Sequence, residues 1–239
     1  MRRIATALVI AVGLGVAGYF VLPRTAQPRA APTAAVQSMS PDALRQFERW
    51  YEAQQRFVVP VSSEGALVLI VKFTDYQCPG CAWSHTVDAP VLAKWEARFP
   101  GAVKVVEKQY PLNTECNKTV SRSLHPAACV AAAAVLLADD QRRGPEMADW
   151  LYVNQEALTP AVIRSAAASI GGVRQFDAGL PGAWTRVTAD TQIARMLGVS
   201  STPTFFINGV KMARTEKVMP PDELDAAIAW ELKKAGTIN

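Results

Sequence analysis

A Cys-x-x-Cys pair set between a strand-like run and a helix-like run constrains this chain more than any other feature. The segment reads Phe73-Thr74-Asp75-Tyr76-Gln77-Cys78-Pro79-Gly80-Cys81. Before it, Leu67–Phe73 is almost continuously apolar and bounded by Gly65 and Asp75, the pattern of a central strand covered on both faces. After it, a helical pattern continues to about Phe99, with Pro90 expected to kink it. Val103–Lys108 reads as the next strand, so the unit is expected to be a right-handed parallel crossover. Far downstream, Gly198-Val199-Ser200-Ser201-Thr202-Pro203-Thr204-Phe205-Phe206-Ile207-Asn208-Gly209 reads as a Thr-Pro entering a strand that ends in an Asn-Gly hairpin turn. Val210–Met212 would close that hairpin, and Pro221–Ala235 reads as a final amphipathic helix.

The chemistry follows from the position of the cysteines. A thiolate attacks a disulfide, so such a site must lower one thiol's pKa. Cys78 falls where the strand hands over to the helix, where backbone N–H groups and the helix dipole favour negative charge. Pro79 suits the first helical position. Cys81 follows one turn on and behind. Cys78 is therefore expected to be the nucleophile and Cys81 the resolving thiol. A Cys-x-x-Cys can also be half of a zinc site, completed by two of Cys116, His125, Cys129 or His85. The strand–Cys-Pro-Gly-Cys–helix context favours redox chemistry.

The first residues bear on location. Met1-Arg2-Arg3 precedes an uncharged apolar stretch, residues 4–22, long enough as a helix to span roughly 28 Å. The length of that stretch, and Pro23-Arg24 directly after it, favour an uncleaved membrane anchor over a cleaved signal. Residues 1–22 are thus read as an anchor or signal, and 23–38, rich in Pro, Ala, Thr and Gln, as a linker. Residues 39–239 are read as one domain. Ser40-Pro41-Asp42 marks a helix start there, and the helix is expected to pack on the domain through Leu44, Phe47, Trp50 and Tyr51. The domain is expected to lie outside the cytoplasm, where disulfides persist. The net charge of +4 is spread along the chain, which argues against nucleic-acid binding. Residues from about 113 to 198 read as helical, in runs over Ala127–Ala138, Glu146–Ala157, Thr159–Ile170 and Ala183–Leu197. That block is too long for a structureless loop and large enough for a helical insertion.

These motifs resemble those of DsbA-like proteins of the thioredoxin fold. They are similar above all to the thioredoxin-like domains that accompany bacterial vitamin K epoxide reductase homologues, through Tyr110-Pro111-Leu112-Asn113, Glu115-Cys116-Asn117, His125-Pro126-Ala127-Ala128-Cys129 and Trp150-Leu151. The resemblance implies an α/β thioredoxin fold with a helical insertion, and a protein disulfide oxidoreductase working through Cys78 and Cys81 without a cofactor. It implies that Pro203 is cis and faces the cysteines, leaving the Thr202 backbone to pair with an extended client. It also implies thiol-bearing exported clients and a separate membrane partner of the vitamin K epoxide reductase or DsbB kind, at the inner membrane. Gly80 departs from DsbA, which has His there, so DsbA's potential does not transfer. Lys72 departs too, since many relatives carry an acid at that position. Lys72 is read as pairing with Glu107 or sitting near the sulfurs, where it would favour the thiolate; the alternative is a lysine snorkelling at the strand end.

Cys116 and Cys129 are expected to form a structural disulfide in an oxidising compartment; the alternative is a second redox pair relaying electrons. His125-Pro126 is read as a helix start and His85 as a surface or groove residue. Trp83, Trp95, Trp150 and Trp184 are read as core or groove aromatics. Thiol oxidation is the leading function. A reductase or isomerase fed by a membrane donor, or a copper-handling module using Cys78, Cys81 and His85, are the rivals.

Overall fold

The computed structural model describes residues 38–213 and 218–238. The stretch read as a membrane anchor and most of the linker lie outside these residues. Among the described residues, no helix is long and apolar enough to cross a membrane.

The chain runs through α1 (Pro41–Glu52), β1 (Val68–Thr74), α2 (Pro79–Arg98), β2 (Val103–Gln109), α3 (Ala128–Asp139), α4 (Gly144–Val153), α5 (Pro160–Ser169), α6 (Phe176–Met196), β3 (Thr204–Ile207), β4 (Val210–Lys211) and α7 (Pro221–Lys234). The sheet order is β2-β1-β3-β4. β1 and β2 are parallel, with Lys72 opposite Glu107; β1 and β3 are antiparallel, with Lys72 opposite Phe205.

β1 is central, and its alternating side chains feed two cores. Val68 and Ile70 pack with Phe205 and Ile207 against Phe47 and Tyr51 of α1, Val91 and Trp95 of α2, and Leu224 and Ile228 of α7. Val71, Phe73 and Phe206 face the other way, toward Ala194 of α6 and Leu197 just after it. Local signals set the edges of this layer. The Ser40 hydroxyl accepts from the Ala43 N–H and caps α1. Asn208 and Gly209 turn β3 into β4 at φ 42° and 83°. A side chain at position 209 would meet the Phe57 carbonyl, so glycine is required there.

The insertion forms a third core. In α3 nearly every residue is small and buried, which lets α4, α5 and α6 pack closely around it. A Cβ at Gly179 of α6 would lie 2.6 Å from Leu137, so α3 and α6 meet through that glycine. This core reaches the redox motif: Tyr76, Cys78 and Cys81 are buried among its residues.

Two expectations need correction. The helical reading from residue 113 fails for residues 113–127, which form turns and bends, because Asn113 and Asn117 side chains bond backbone groups there in place of a helical ladder. α6 begins at Phe176, seven residues before Ala183, and passes through Pro181. α2 likewise continues as one helix through Pro90. Cys116 and Cys129 are joined by a disulfide with a sequence separation of 13. In the chain-entropy description a bridge over so short a loop contributes about 3 kcal/mol. It pins the 113–127 loop to the first turn of α3.

Candidate active site

β1 ends at Thr74, and Asp75, Tyr76 and Gln77 carry the chain to Cys78, the N-cap of α2. The Asp75 carboxylate accepts from the Gln77 N–H at 2.8 Å, an Asx turn that curls the chain back. The Cys78 N–H then bonds the Asp75 carbonyl at 3.0 Å. Pro79 occupies the first helical position, where no N–H partner is needed. The Gln155 amide donates to the carbonyls of Tyr76 and Cys78, fastening the turn to the insertion.

The two thiols are free and differ in environment. Cys81 is fully buried, and the Asp75 N–H lies 3.5 Å from its sulfur. Burial pushes its thiol well above the ordinary range, and the neighbouring Cys78 charge adds to this. Cys78 keeps 8% exposure. Its pKa falls to about 6, chiefly because the Cys81 thiol donates to it, against the opposing effect of burial. Thr202 and the N–H groups of Gly80 and Cys81 lower it further. As a thiol, Cys78 donates to the Thr202 carbonyl at 3.3 Å. The Thr202 hydroxyl is buried with no hydrogen-bond partner among the described residues, a donor the thiolate can recruit. At pH 7 a pKa of about 6 leaves Cys78 about nine-tenths ionised, against roughly 1% for an ordinary thiol of pKa 9.0.

Thr202-Pro203 is cis. A Cβ at Gly80 would lie 3.3 Å from Pro203 Cδ, 3.0 Å from Val218 and 3.7 Å from the Cys78 sulfur. Pro203 and Gly80 therefore border the sulfur, and glycine at 80 keeps its approach open.

Behind the cysteines lies a buried polar cluster. Lys72 is 4% exposed, so it does not snorkel. Its ammonium sits 3.5 Å from Glu107 and over the rings of Tyr152 and Phe205. Asp88 of α2 accepts from the Ser84 hydroxyl at 2.6 Å. Burial raises its carboxyl to about 6, while Ser84 and Lys72 pull the other way. The Tyr152 and Thr74 hydroxyls share a hydrogen bond of 2.6 Å. The largest influences on the Cys78 thiol are Cys81, Thr202 and local N–H groups. Lys72 and Glu107 sit one layer away, as a charge pair beneath α2.

The remaining candidates fall as follows. His85 bonds Asp149 at 2.7 Å and lies tilted against the Tyr152 ring, while His125 bonds Asp75 at 2.8 Å. Cys116 and Cys129 are bonded to each other and offer no thiolate to a metal. Trp95 is buried in the sheet core, Trp150 and Trp184 are half-buried against the insertion core, and Trp83 is exposed on α2. Sequence reasoning missed Asp75, Asp88, Tyr152 and Gln155. Asp75 was findable, since an Asp three residues before a helix-entering Cys can close an Asx turn on the N–H two residues on. The others had no local signal.

A family model described as thioredoxin matches residues 61–229. The chain belongs to the thioredoxin family. Solved structures of this kind superpose on it at low identity. BdbD from Bacillus subtilis, in its oxidised form, gives a TM-score of 0.53 at 20% identity, covering 71% of this chain and 90% of that one. A variant of alpha-DsbA1 from Wolbachia pipientis gives 0.57 at 15%, covering 74% and 94%. Among curated proteins, the Na(+)/H(+) antiporter NhaA 3 of Salinispora tropica is 31% identical over 148 residues, which is 60% of this chain and 20% of that protein. The chain thus spans about a fifth of the length of such curated relatives. These structures share the fold of the chain, and its Cys-x-x-Cys site pairs a thiol of lowered pKa with a buried one.

Proposed function

We propose that this chain is a thiol oxidase: it passes a Cys78–Cys81 disulfide to client proteins outside the cytoplasm and is tethered through residues 4–22. The observation that carries the reading is the contrast between the two thiols. Cys78 ionises near pH 6, whereas burial keeps Cys81 protonated. Linkage supports this direction of reaction. The Cys78 pKa is depressed on folding, so the stability it confers on the reduced protein is present above the ordinary thiol pKa of 9.0 and is lost as pH falls through about 6. At neutral pH the reduced form is therefore stabilised, and a disulfide whose reduced form is stabilised oxidises others.

A client thiolate attacks the Cys78 sulfur, the Cys78–Cys81 bond breaks and Cys81 leaves, taking up a proton. A second client thiolate attacks the client sulfur of the mixed disulfide and expels Cys78 as a thiolate. A client dithiol becomes a disulfide, and the protein gains two electrons and one proton, with one proton left over. A cleft of about 310 Å³, lined in part by Leu112, Val120, Leu124, Val199 and Ser200, runs beside the loop leading to Thr202. Its lining also includes Thr119, Ser121 and Arg122, so it offers a client segment both apolar and polar contacts beside that loop. Reoxidation would come from a separate membrane partner of the vitamin K epoxide reductase or DsbB kind. Sodium–proton exchange is not carried over from the curated relatives, because the match covers only a fifth of them.

The test is oxidative refolding. Reduced, unfolded ribonuclease is mixed with the oxidised full-length chain in detergent. About one equivalent of disulfide should enter the client per equivalent of protein within minutes. Failure to transfer, together with rapid reduction of insulin by the reduced chain, would reverse the direction and make it a reductase.

A further inference from the structure

His125 was read from sequence as a helix start, yet the fold brings it to the nucleophile's loop. It comes from the disulfide-pinned segment before α3. Its ring Nδ1 lies 2.8 Å from Asp75 Oδ2. That oxygen also accepts from the Leu112 N–H at 2.7 Å, and the other carboxylate oxygen accepts from Gln77 N–H. A carboxylate accepts only, so Nδ1 carries a hydrogen. The same Asp75 bonds the Cys78 N–H through its carbonyl and offers its own N–H to Cys81. Gln77 bonds the Ala127 N–H at 2.6 Å, a second tie between the two loops. The His125 side chain is 19% exposed, so solvent reaches part of it.

We propose that His125 is a charge-compensating positioning residue of the Cys78–Cys81 reaction: Asp75 holds its ring beside the nucleophile's loop, where it takes up the proton that client oxidation leaves over and balances the Cys78 thiolate as an imidazolium. The proposal rests on Cys78 being the reactive thiolate. The electrostatics agree with the geometry. The hydrogen bond to Asp75 raises the His125 pKa first, burial opposes, and the charges of Asp75 and Cys78 raise it further. Asp75, on the loop after β1, and Cys78, at the start of α2, are the titratable groups that act on the ring. In the disulfide Cys78 carries no charge, so its contribution exists only in the reduced state. A client dithiol and the disulfide with a neutral imidazole then give a client disulfide, the Cys78 thiolate, the Cys81 thiol and the imidazolium. Two electrons move, and both client protons are accounted for.

The experiment is an NMR titration of the histidine ring protons in the full-length chain in detergent micelles. It is run on the oxidised protein and on the protein reduced with dithiothreitol. The chain has two histidines, so assignment by a His85→Gln variant is direct. His125 should titrate at least about half a unit higher in the reduced form, with a smaller change at His85. His125→Gln, which keeps a donor for Asp75, should move the Cys78 thiolate absorbance titration up by about half to one unit, and His125→Lys should restore part of it. Identical His125 titrations in the two redox states would overturn the proposal, whatever the variants do to folding. The titration uses a chemical reductant, so it is independent of client oxidation: a redox-linked His125 shift without transfer to ribonuclease would defeat the oxidase reading alone.

Discussion

Cys81→Ser should convert the protein from a catalyst into a trap. With a client that carries a disulfide, the Cys78 thiolate would still form the mixed disulfide as one client sulfur leaves as a thiolate, but no Cys81 thiolate would then attack Cys78 to release it. Mixed disulfides with a model client should accumulate to most of the protein and persist until an external thiol is added, as read by mass spectrometry of acid-quenched samples. Cys78→Ser should behave differently. Cys81 is fully buried with its pKa raised, so it cannot replace the nucleophile. Disulfide transfer should fall to the rate without protein. Alkylation of Cys81 in that variant should be slower than alkylation of Cys78 in wild type by on the order of 10³-fold. Equal trapping through Cys81 in the Cys78→Ser variant would invert the assigned roles.

Lys72→Met carries the largest expected stability effect. The ammonium is buried against Glu107 and two rings, and it opposes the burial that raises Asp88. Its removal leaves a partly exposed Glu107 and a buried Asp88 without their cation. Breaking a fully buried pair costs about 3–5 kcal/mol; the exposure of Glu107 reduces the expected loss to about 2–3 kcal/mol in urea unfolding at pH 8. The pH dependence has a definite sign. The folded Asp88 pKa, about 6, lies above the unfolded value near 3.8, so the folded protein favours the protonated acid. Asp88 therefore favours stability below about pH 4, an advantage lost as pH rises through 6. Without Lys72 the window moves upward. The deficit of Lys72→Met should shrink as pH falls toward 5, and Glu107→Gln in the same chain should recover part of it. The thiolate titration of Cys78 should move by less than about half a unit, because the largest influences on Cys78 are Cys81, Thr202 and local N–H groups. A large shift there would place Lys72 directly on the sulfur.

The parts of the fold written in local chemistry were legible. The apolar run of β1, Ser40 and Pro41 at α1, Pro79 at α2 and Asn208-Gly209 at the hairpin each state their own geometry. The long-range assembly was not. Residues 113–127 are rich in asparagine, threonine and serine, whose side chains bond backbone groups there, and a helical period count does not register that competition. The pairing of Lys72 with Glu107 was readable because each is the fifth residue of its strand, and parallel neighbours in register stand side by side. Asp88, Tyr152 and Gln155 reach the site from one face of α2 and from the insertion. Their role depends on how α4 packs, which the sequence around them does not declare. His125 is the clearest example: its neighbour Pro126 explains it locally, while Asp75, fifty positions away, gives it a partner.

The most direct measurement is the equilibrium reduction potential of Cys78–Cys81, taken on the full-length chain in detergent against a series of glutathione buffers at pH 7. A depressed Cys78 pKa stabilises the reduced form, so a value of about −180 mV or higher is expected. A value near about −270 mV, in the range of thioredoxin, would contradict the oxidase reading and make the chain a reductase supplied by a membrane electron donor.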